Sequence, residues 1–224
     1  MIPLFVHKSP RLLKAFYTPF VWNISTDENI IYLTFDDGPI PDVTEWVLEQ
    51  LDHFDAKATF FCIGDNVLKY PDIFSQLVVN GHSVGNHTHN HLNGWKTDDA
   101  TYWQNVAQCQ DILPVKTNLF RPPYGRIKLS QAKPLLNDYH IVMWEVLTGD
   151  FEKYLSPEHC LEKTLKHTQA GSIVVMHDSL KAWRNMSYVL PRFLEHFSAL
   201  GYRFEALPQH VSVEFKLGEA MKVY

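Results

Sequence analysis

The 224-residue chain has only three cysteines, Cys62, Cys109 and Cys160, and none stands in a Cys-x-x-Cys pair. That spacing excludes a zinc ribbon and a dithiol redox motif, and the thiols read as reduced and buried. No Gly-x-Gly-x-x-Gly follows the first apolar run, so the phosphate-cradling turn of a dinucleotide fold is missing. No run approaches the roughly 20 apolar residues of a membrane span. At the amino terminus Lys8, Pro10, Arg11 and Lys14 interrupt any signal-peptide core. A cytoplasmic protein is expected from this, with export or peripheral membrane contact as the alternatives. Cations are also in deficit: 20 Lys and Arg stand against 25 Asp and Glu, a net charge of −5, which offers no broad basic face to a nucleic acid. Repeats, low-complexity tracts and Gly/Ser linkers are absent as well. One catalytic domain over 30–224 is expected, preceded by an N-terminal extension, 1–29, packed on it.

What the chain does have is alternation, in a composition that is 46% hydrophobic. Short β-branched or aromatic runs at 30–36, 58–64, 82–86, 117–122, 140–146, 172–177 and 202–207 read as strands. Between them, 43–54, 65–80, 98–113, 129–137, 157–169 and 185–200 read as helices. Strands and helices in turn signal βαβ units, and this number suits a slightly short α/β barrel better than an open sheet. Asp36, Asp37, His87, Arg121, Asp150 and His177 all fall at or just past the carboxyl end of a predicted strand. That is the rim on which such barrels build active sites.

The stretch Asn86-His-Thr-His-Asn-His91 concentrates imidazoles. If His87 opens a helical turn, His87 and His91 share a face and His89 points elsewhere. Zinc in catalytic sites commonly has three protein ligands and an open position, so a third donor is needed. Thr34-Phe-Asp-Asp-Gly-Pro39 supplies it: neighbouring carboxylates at a strand end project differently, so one can bind an ion while the other reaches water. Spacing alone does not fix which does which. Taken singly, the Asp-Asp-Gly-Pro motif also reads as a turn and His-x-x-x-His as a surface pair.

Together, "TFDDGP" at 34–39, "HTHNH" at 87–91, "RPPYG" at 121–125, "GDF" at 149–151 and "VMHD" at 175–178 resemble the five motifs of the NodB-like polysaccharide deacetylases, carbohydrate esterase family four. The likeness runs from about Ile30 to Leu207. It implies a distorted (β/α)7, TIM-like barrel, the NodB homology domain. It also implies a metal-dependent hydrolase that removes N-acetyl, sometimes O-acetyl or N-formyl, groups from an amino sugar or polysaccharide. By position it makes Asp37, His87 and His91 the ligands of a divalent metal, zinc first, with cobalt or nickel able to replace it in vitro. Asp36 becomes the base, Arg121 its restraining cation, His177 the acid and Asp150 the acid's charge partner. The N–H of Tyr124 is implied to hold the oxyanion, with Tyr124, Phe151 and Val175 lining the substrate. Amide hydrolysis needs those parts in any case: an activated water, stabilisation of negative charge and a proton for nitrogen. A cation beside the base and a carboxylate beside the acid separate the two roles at neutral pH.

Departures bear on substrate. Phe151 stands where the family has tryptophan, Thr148 and Asp150 occupy a motif that usually carries a second aspartate, and Val175 replaces a leucine of the acetyl pocket. His89 replaces a common aromatic. The rival of another class is a catalytically silent carbohydrate-binding barrel with a structural metal; loss of base, arginine or acid would favour it, and all three are present. A glycosidase using Asp36 and Asp37 is disfavoured, because sequence neighbours cannot flank a scissile bond from opposite sides. His82, His140, His159 and His167 have no motif partners. Trp95 and Trp183 fall on predicted rim loops, where they either stack on sugar or simply pack. Leu12, Leu13, Phe16 and Phe20, with Arg11 and Lys14, form an amphipathic stretch expected to plug the amino-terminal end of the barrel, membrane contact being its alternative.

Overall fold

The computed structural model describes residues 6–209. The outer ends of the expected extension and catalytic domain, 1–5 and 210–224, lie outside the described residues. The elements in order are α1 (Arg11–Phe16), β1 (Ile30–Asp36), α2 (Val43–His53), β2 (Ala58–Cys62), α3 (Gly64–Lys69), α4 (Pro71–Val79), β3 (Ser83–Asn86), α5 (Asp99–Ile112), β4 (Leu119–Phe120), α6 (Leu129–Leu135), β5 (His140–Ile141), β6 (Val146–Leu147), α7 (Pro157–His167), β7 (Ile173–His177), α8 (Trp183–Ala199) and β8 (Arg203–Phe204). The strands pair in the order β5-β4-β3-β2-β1-β7-β6, all parallel, and β8 adds to the start of β1.

Why β1 is central is plain from its residues: every one of its seven is buried. A parallel strand covered on both faces needs such a run. Ile31, Leu33 and Phe35 pack outward with Val47, Leu51, Val189 and Phe193 of α2 and α8. Ile30 and Tyr32 point the other way, toward Phe61, Leu119, Val142 and Ile173. The same alternation puts Val174 and Met176 of β7 in the outer layer and His177 at the inner face's upper end.

The two edge strands of the order, β5 and β6, belong to one short run of chain, so the sheet must curl to bring its edges near each other, leaving a seam between them. The resulting curled parallel sheet with helices outside is the (β/α)7 architecture that the motifs imply. Two predicted elements differ in detail. The helix expected over 65–80 breaks at Tyr70, because Pro71 cannot supply an N–H and forces its predecessor out of helical geometry; Tyr70 has φ −131° and ψ 57°. The strand expected over 140–146 splits in two, because the carbonyls of Val142 and Met143 turn to the Arg121 guanidinium at 3.1 and 2.9 Å.

The amino-terminal segment closes this seam, but its helix is not the plug. No residue of α1 is buried, and Leu12, Leu13 and Phe16 are 69%, 40% and 75% exposed. Extended chain around it does the sealing. Val21 bridges Val142, Asn23 bridges Ser172 and Lys8 bridges Val146, while Phe20, Val21 and Trp22 are buried. The reason is hydrogen bonding: a seam exposes backbone N–H and C=O groups, and extended chain can pair with them where a helix cannot. Lys14, from the amphipathic stretch, turns in to the buried Glu145 at 3.0 Å.

Candidate metal centre and active site

Each chemistry-bearing side chain is delivered by a strand end. Asp36 closes β1 and His177 closes β7, and the two are direct partners in the β1–β7 register. Adjacent strands stand about 4.8 Å apart, so a carboxylate and an imidazole are held side by side on the inner face. Asp37 follows at once, His87 comes one residue after β3, Arg121 one after β4, and Asp150 three after β6.

Asp37, His87 and His91 each offer one donor atom, and the three donors lie within 4.8 Å of one another. His87 and His91 reach this arrangement without the helical turn expected of them. Thr88 and His91 have φ of 62° and 55°, and Asp37 has 87°, a left-handed geometry that costs about 1–3 kcal/mol per residue and collects at functional sites. His89 is turned away, its N–H donating to the Asn105 side chain at 2.9 Å.

The donor set fits a divalent cation. Asp37 Oδ1 is buried without a hydrogen-bond partner, 3.1 Å from His91 Nε2 and 3.8 Å from His87 Nε2. Ligands held about 2.1 Å from one ion at tetrahedral angles stand about 3.4 Å apart, between those two distances. The far nitrogen of each histidine is engaged: His87 Nδ1 donates to the Arg121 carbonyl at 2.7 Å, and His91 Nδ1 lies 3.1 Å from the Tyr124 hydroxyl. Such outer partners orient the ring and leave Nε2 for the ion. Burial brings His87 down to about 4, so its imidazole is neutral near pH 7. Burial pushes the Asp37 carboxyl up, but the close His91 imidazole, with His177 and His87 beyond it, outweighs that and holds the group well below the usual carboxylate range.

Arg121 is fully buried and donates from Nη1 to Asp36 Oδ1 at 2.7 Å and to Thr34 Oγ1 at 2.8 Å. Its guanidinium lies 4.1 Å above the Phe61 ring. That stacking needs Gly85, since a Cβ there would come within 2.4 Å of Phe61. Opposite, His177 Nδ1 is 2.8 Å from Asp150 Oδ1, while Asp150 Oδ2 accepts the His177 backbone N–H at 2.7 Å. Burial pulls His177 down, but the Asp150 carboxylate, with Asp37 and Asp36 behind it, raises it to about 9.

The remaining expected residues sit as follows. Tyr124 is 59% exposed with φ 62°, and its hydroxyl, beyond the N–H that the motif implies, meets a triad histidine. The Phe151 ring stands edge-on to His177 at 5.1 Å. Val175 is fully buried one rung below His177, with no surface open to solvent. Several partners went unread in the sequence. Buried Asp178 accepts from the Gly38 N–H at 3.0 Å and the Thr44 hydroxyl at 2.7 Å, which ties the Asp36–Gly38 turn to β7. Burial pushes Asp178 up to about 8. Asn66 donates to the Asp37 carbonyl at 2.7 Å, and Asn185 to the Asp150 carbonyl at 3.1 Å. Only Asp178 carried a signal, as the last letter of "VMHD".

Comparison with known proteins identifies the family and the fold. The family model described as polysaccharide deacetylase matches residues 23–141. The chain is similar to a peptidoglycan-N-acetylglucosamine deacetylase of Bacillus cereus, 31% identical over 206 residues, covering 86% of this chain and 74% of the relative. It is also similar to a chitooligosaccharide deacetylase of Azorhizobium caulinodans, 35% identical over 164 residues, 69% of this chain and 76% of the relative. Among solved structures, a peptidoglycan N-acetylglucosamine deacetylase superposes with a TM-score of 0.82 at 28% identity, covering 89% of this chain and 95% of that one. With its motifs gathered on one rim and its fold shared, the chain belongs to the polysaccharide deacetylase family.

Proposed function

We propose that this deacetylase removes the N-acetyl group from N-acetylglucosamine units of a peptidoglycan or chitooligosaccharide chain, with zinc held by Asp37, His87 and His91. One observation carries the residue roles: Asp36 and His177 are register partners on adjacent strands beside the triad, one held by a cation and the other by a carboxylate. When bound, the divalent cation supplies Lewis-acid chemistry, acidifying water and polarising the amide carbonyl. Asp36 takes the proton of the attacking water on the carboxylate oxygen that Arg121 leaves open. The Tyr124 N–H donates to the oxygen on which negative charge develops. His177, protonated on both nitrogens, then gives its Nε2 proton to the leaving amine while its Nδ1–H stays on Asp150. A silent barrel would lack one of these groups, and this chain keeps them all.

The test is acetate release from chitooligosaccharides, peptidoglycan fragments and nucleotide- or lipid-linked amino sugars, with and without chelator. Release from the glycans that chelation stops and zinc restores is expected. Release only from carrier-linked sugars would overturn the polymer assignment. Compartment follows substrate: peptidoglycan requires export, while a cytoplasmic protein would meet carrier-linked sugars, and cell fractionation separates the two. Among the described residues no helix is long and apolar enough to cross a membrane.

A further inference from the structure

Beside the triad, two rim loops are locked together and present an indole and an unpaired cation. The Gly94 N–H donates to the Arg126 carbonyl at 3.1 Å. Gln131 Nε2 donates to the Gly94 carbonyl at 3.0 Å. A side chain at Gly94 would come within 2.6 Å of the Arg126 carbonyl oxygen, so the approach requires glycine. Trp95 follows, its Nε1 donating to the Ile127 carbonyl at 3.2 Å. The indole is therefore fixed, yet it stays 60% exposed. An interior packing role would hide it.

The Arg126 guanidinium lies over that ring at 5.2 Å. The acidic groups at the start of α5 are already engaged: the N-cap Asp98 accepts the Thr101 N–H at 3.0 Å, and Asp99 lies 3.6 Å from Lys128. Arg126 and Lys96 have no ion-pair partner among the described residues. In a chain of net charge −5, this is a local excess of positive charge with a planar fork at its centre. Arg126 is two residues past Tyr124, a span of at most about 7 Å, on the scale of one pyranose ring.

We propose that Trp95 and Arg126 form a subsite for the sugar next to the one deacetylated, and that this subsite takes a unit bearing a carboxylate. The indole face stacks on the pyranose ring, and the guanidinium pairs with the carboxylate in the two-pronged geometry that lysine cannot supply. The inference rests on the deacetylase reading of the adjoining site and deepens it. It separates an acidic glycan from a neutral one, a choice the triad and the acid–base pair do not make.

The experiment compares two oligosaccharides of equal length, one of N-acetylglucosamine alone and one alternating with carboxylate-bearing N-acetylmuramic acid. For the zinc-loaded protein, Arg126→Gln is expected to lower the acidic-over-neutral ratio of kcat/KM about tenfold, through KM rather than kcat, as loss of one charged hydrogen-bonded pair does. Trp95→Ala is expected to raise KM for both substrates, with Trp95→Phe between it and the parent. Raising salt from 0.05 to 0.5 M should shrink the acidic preference of the parent and leave that of Arg126→Gln unmoved. An unchanged ratio in Arg126→Gln overturns the proposal. If neither substrate releases acetate, the deacetylase reading has failed, and direct titration with the two oligosaccharides still decides the subsite. Tighter binding of the acidic one to the parent than to Arg126→Gln upholds it, and equal binding overturns it.

Discussion

At the scale of single residues, the site divides its work among groups whose surroundings differ sharply. Asp36→Asn removes the acceptor of a proton but none of the three cation donors. It should retain zinc, measured by metal analysis after dialysis, and lose about 10²–10⁴-fold in kcat. His91→Ala should lose the zinc itself. If the first variant lost the ion and Asp37→Asn kept it, the two aspartate roles would be reversed. Tyr124→Phe deletes the hydroxyl 3.1 Å from His91 Nδ1 and should cost about 10–100-fold in zinc affinity or activity, the usual penalty for an outer partner. For pH, His177 titrates near 9 because of Asp150, so kcat/KM should fall as pH rises through that region. A bound cation cancels the share contributed by Asp37 and brings this limb nearer neutrality. Asp150→Asn should move it lower still, and an alkaline limb unmoved in that variant would argue against the pair. The same raised value affects stability: the contribution of protonated His177 is fully present below about 6.5 and is lost as pH rises through about 9. The proposed roles can be assigned from sequence because each rests on a residue type at a motif position. Those of Asn66 and Asn185 cannot, because amides recur throughout any sequence and only a fold shows which of them braces the backbone carbonyl of Asp37 or Asp150.

At the scale of elements, β1 and β7 carry the site, and their inner faces tolerate little change. Gly85→Ala would press a methyl into Phe61, on which Arg121 rests. It should cost about 1–3 kcal/mol in urea unfolding and also lower kcat by displacing the guanidinium from Asp36. A variant with native stability and native kcat would show that Phe61 does not position Arg121. The strands and helices were visible as alternation in the sequence, and their boundaries came within a few residues. Where the reading slipped, local pattern met a partner distant in sequence. Residues 140–146 look like one strand by composition, but Arg121 captures two of its carbonyls and splits it. The histidine loop looks helical by spacing, yet it reaches its geometry through left-handed backbone at Thr88 and His91.

At the scale of the whole molecule, closure depends on chain outside the catalytic motifs. Residues 7–24 pair with the seam between β5, β6 and β7 through the bridges of Lys8, Val21 and Asn23. A chain lacking residues 1–24 should melt several degrees lower and self-associate, since it would expose unpaired strand edges; equal melting temperatures would place the closure elsewhere. If the triad holds zinc in the native state, zinc at 100 times its Kd should add about 2.7 kcal/mol to unfolding, and a chelator should remove that gain. The sequence by itself determined the α/β class, the strand-end rim and which residue types stand at the motif positions, because hydrophobic period and motif chemistry are local properties. Only the tertiary structure decided that Asp36 meets His177 across a register, that Arg121 holds both Asp36 and the carbonyls of Val142 and Met143, and that Arg126 lies over Trp95. Those relations join residues far apart in the chain, and curling of the sheet is what brings them within contact.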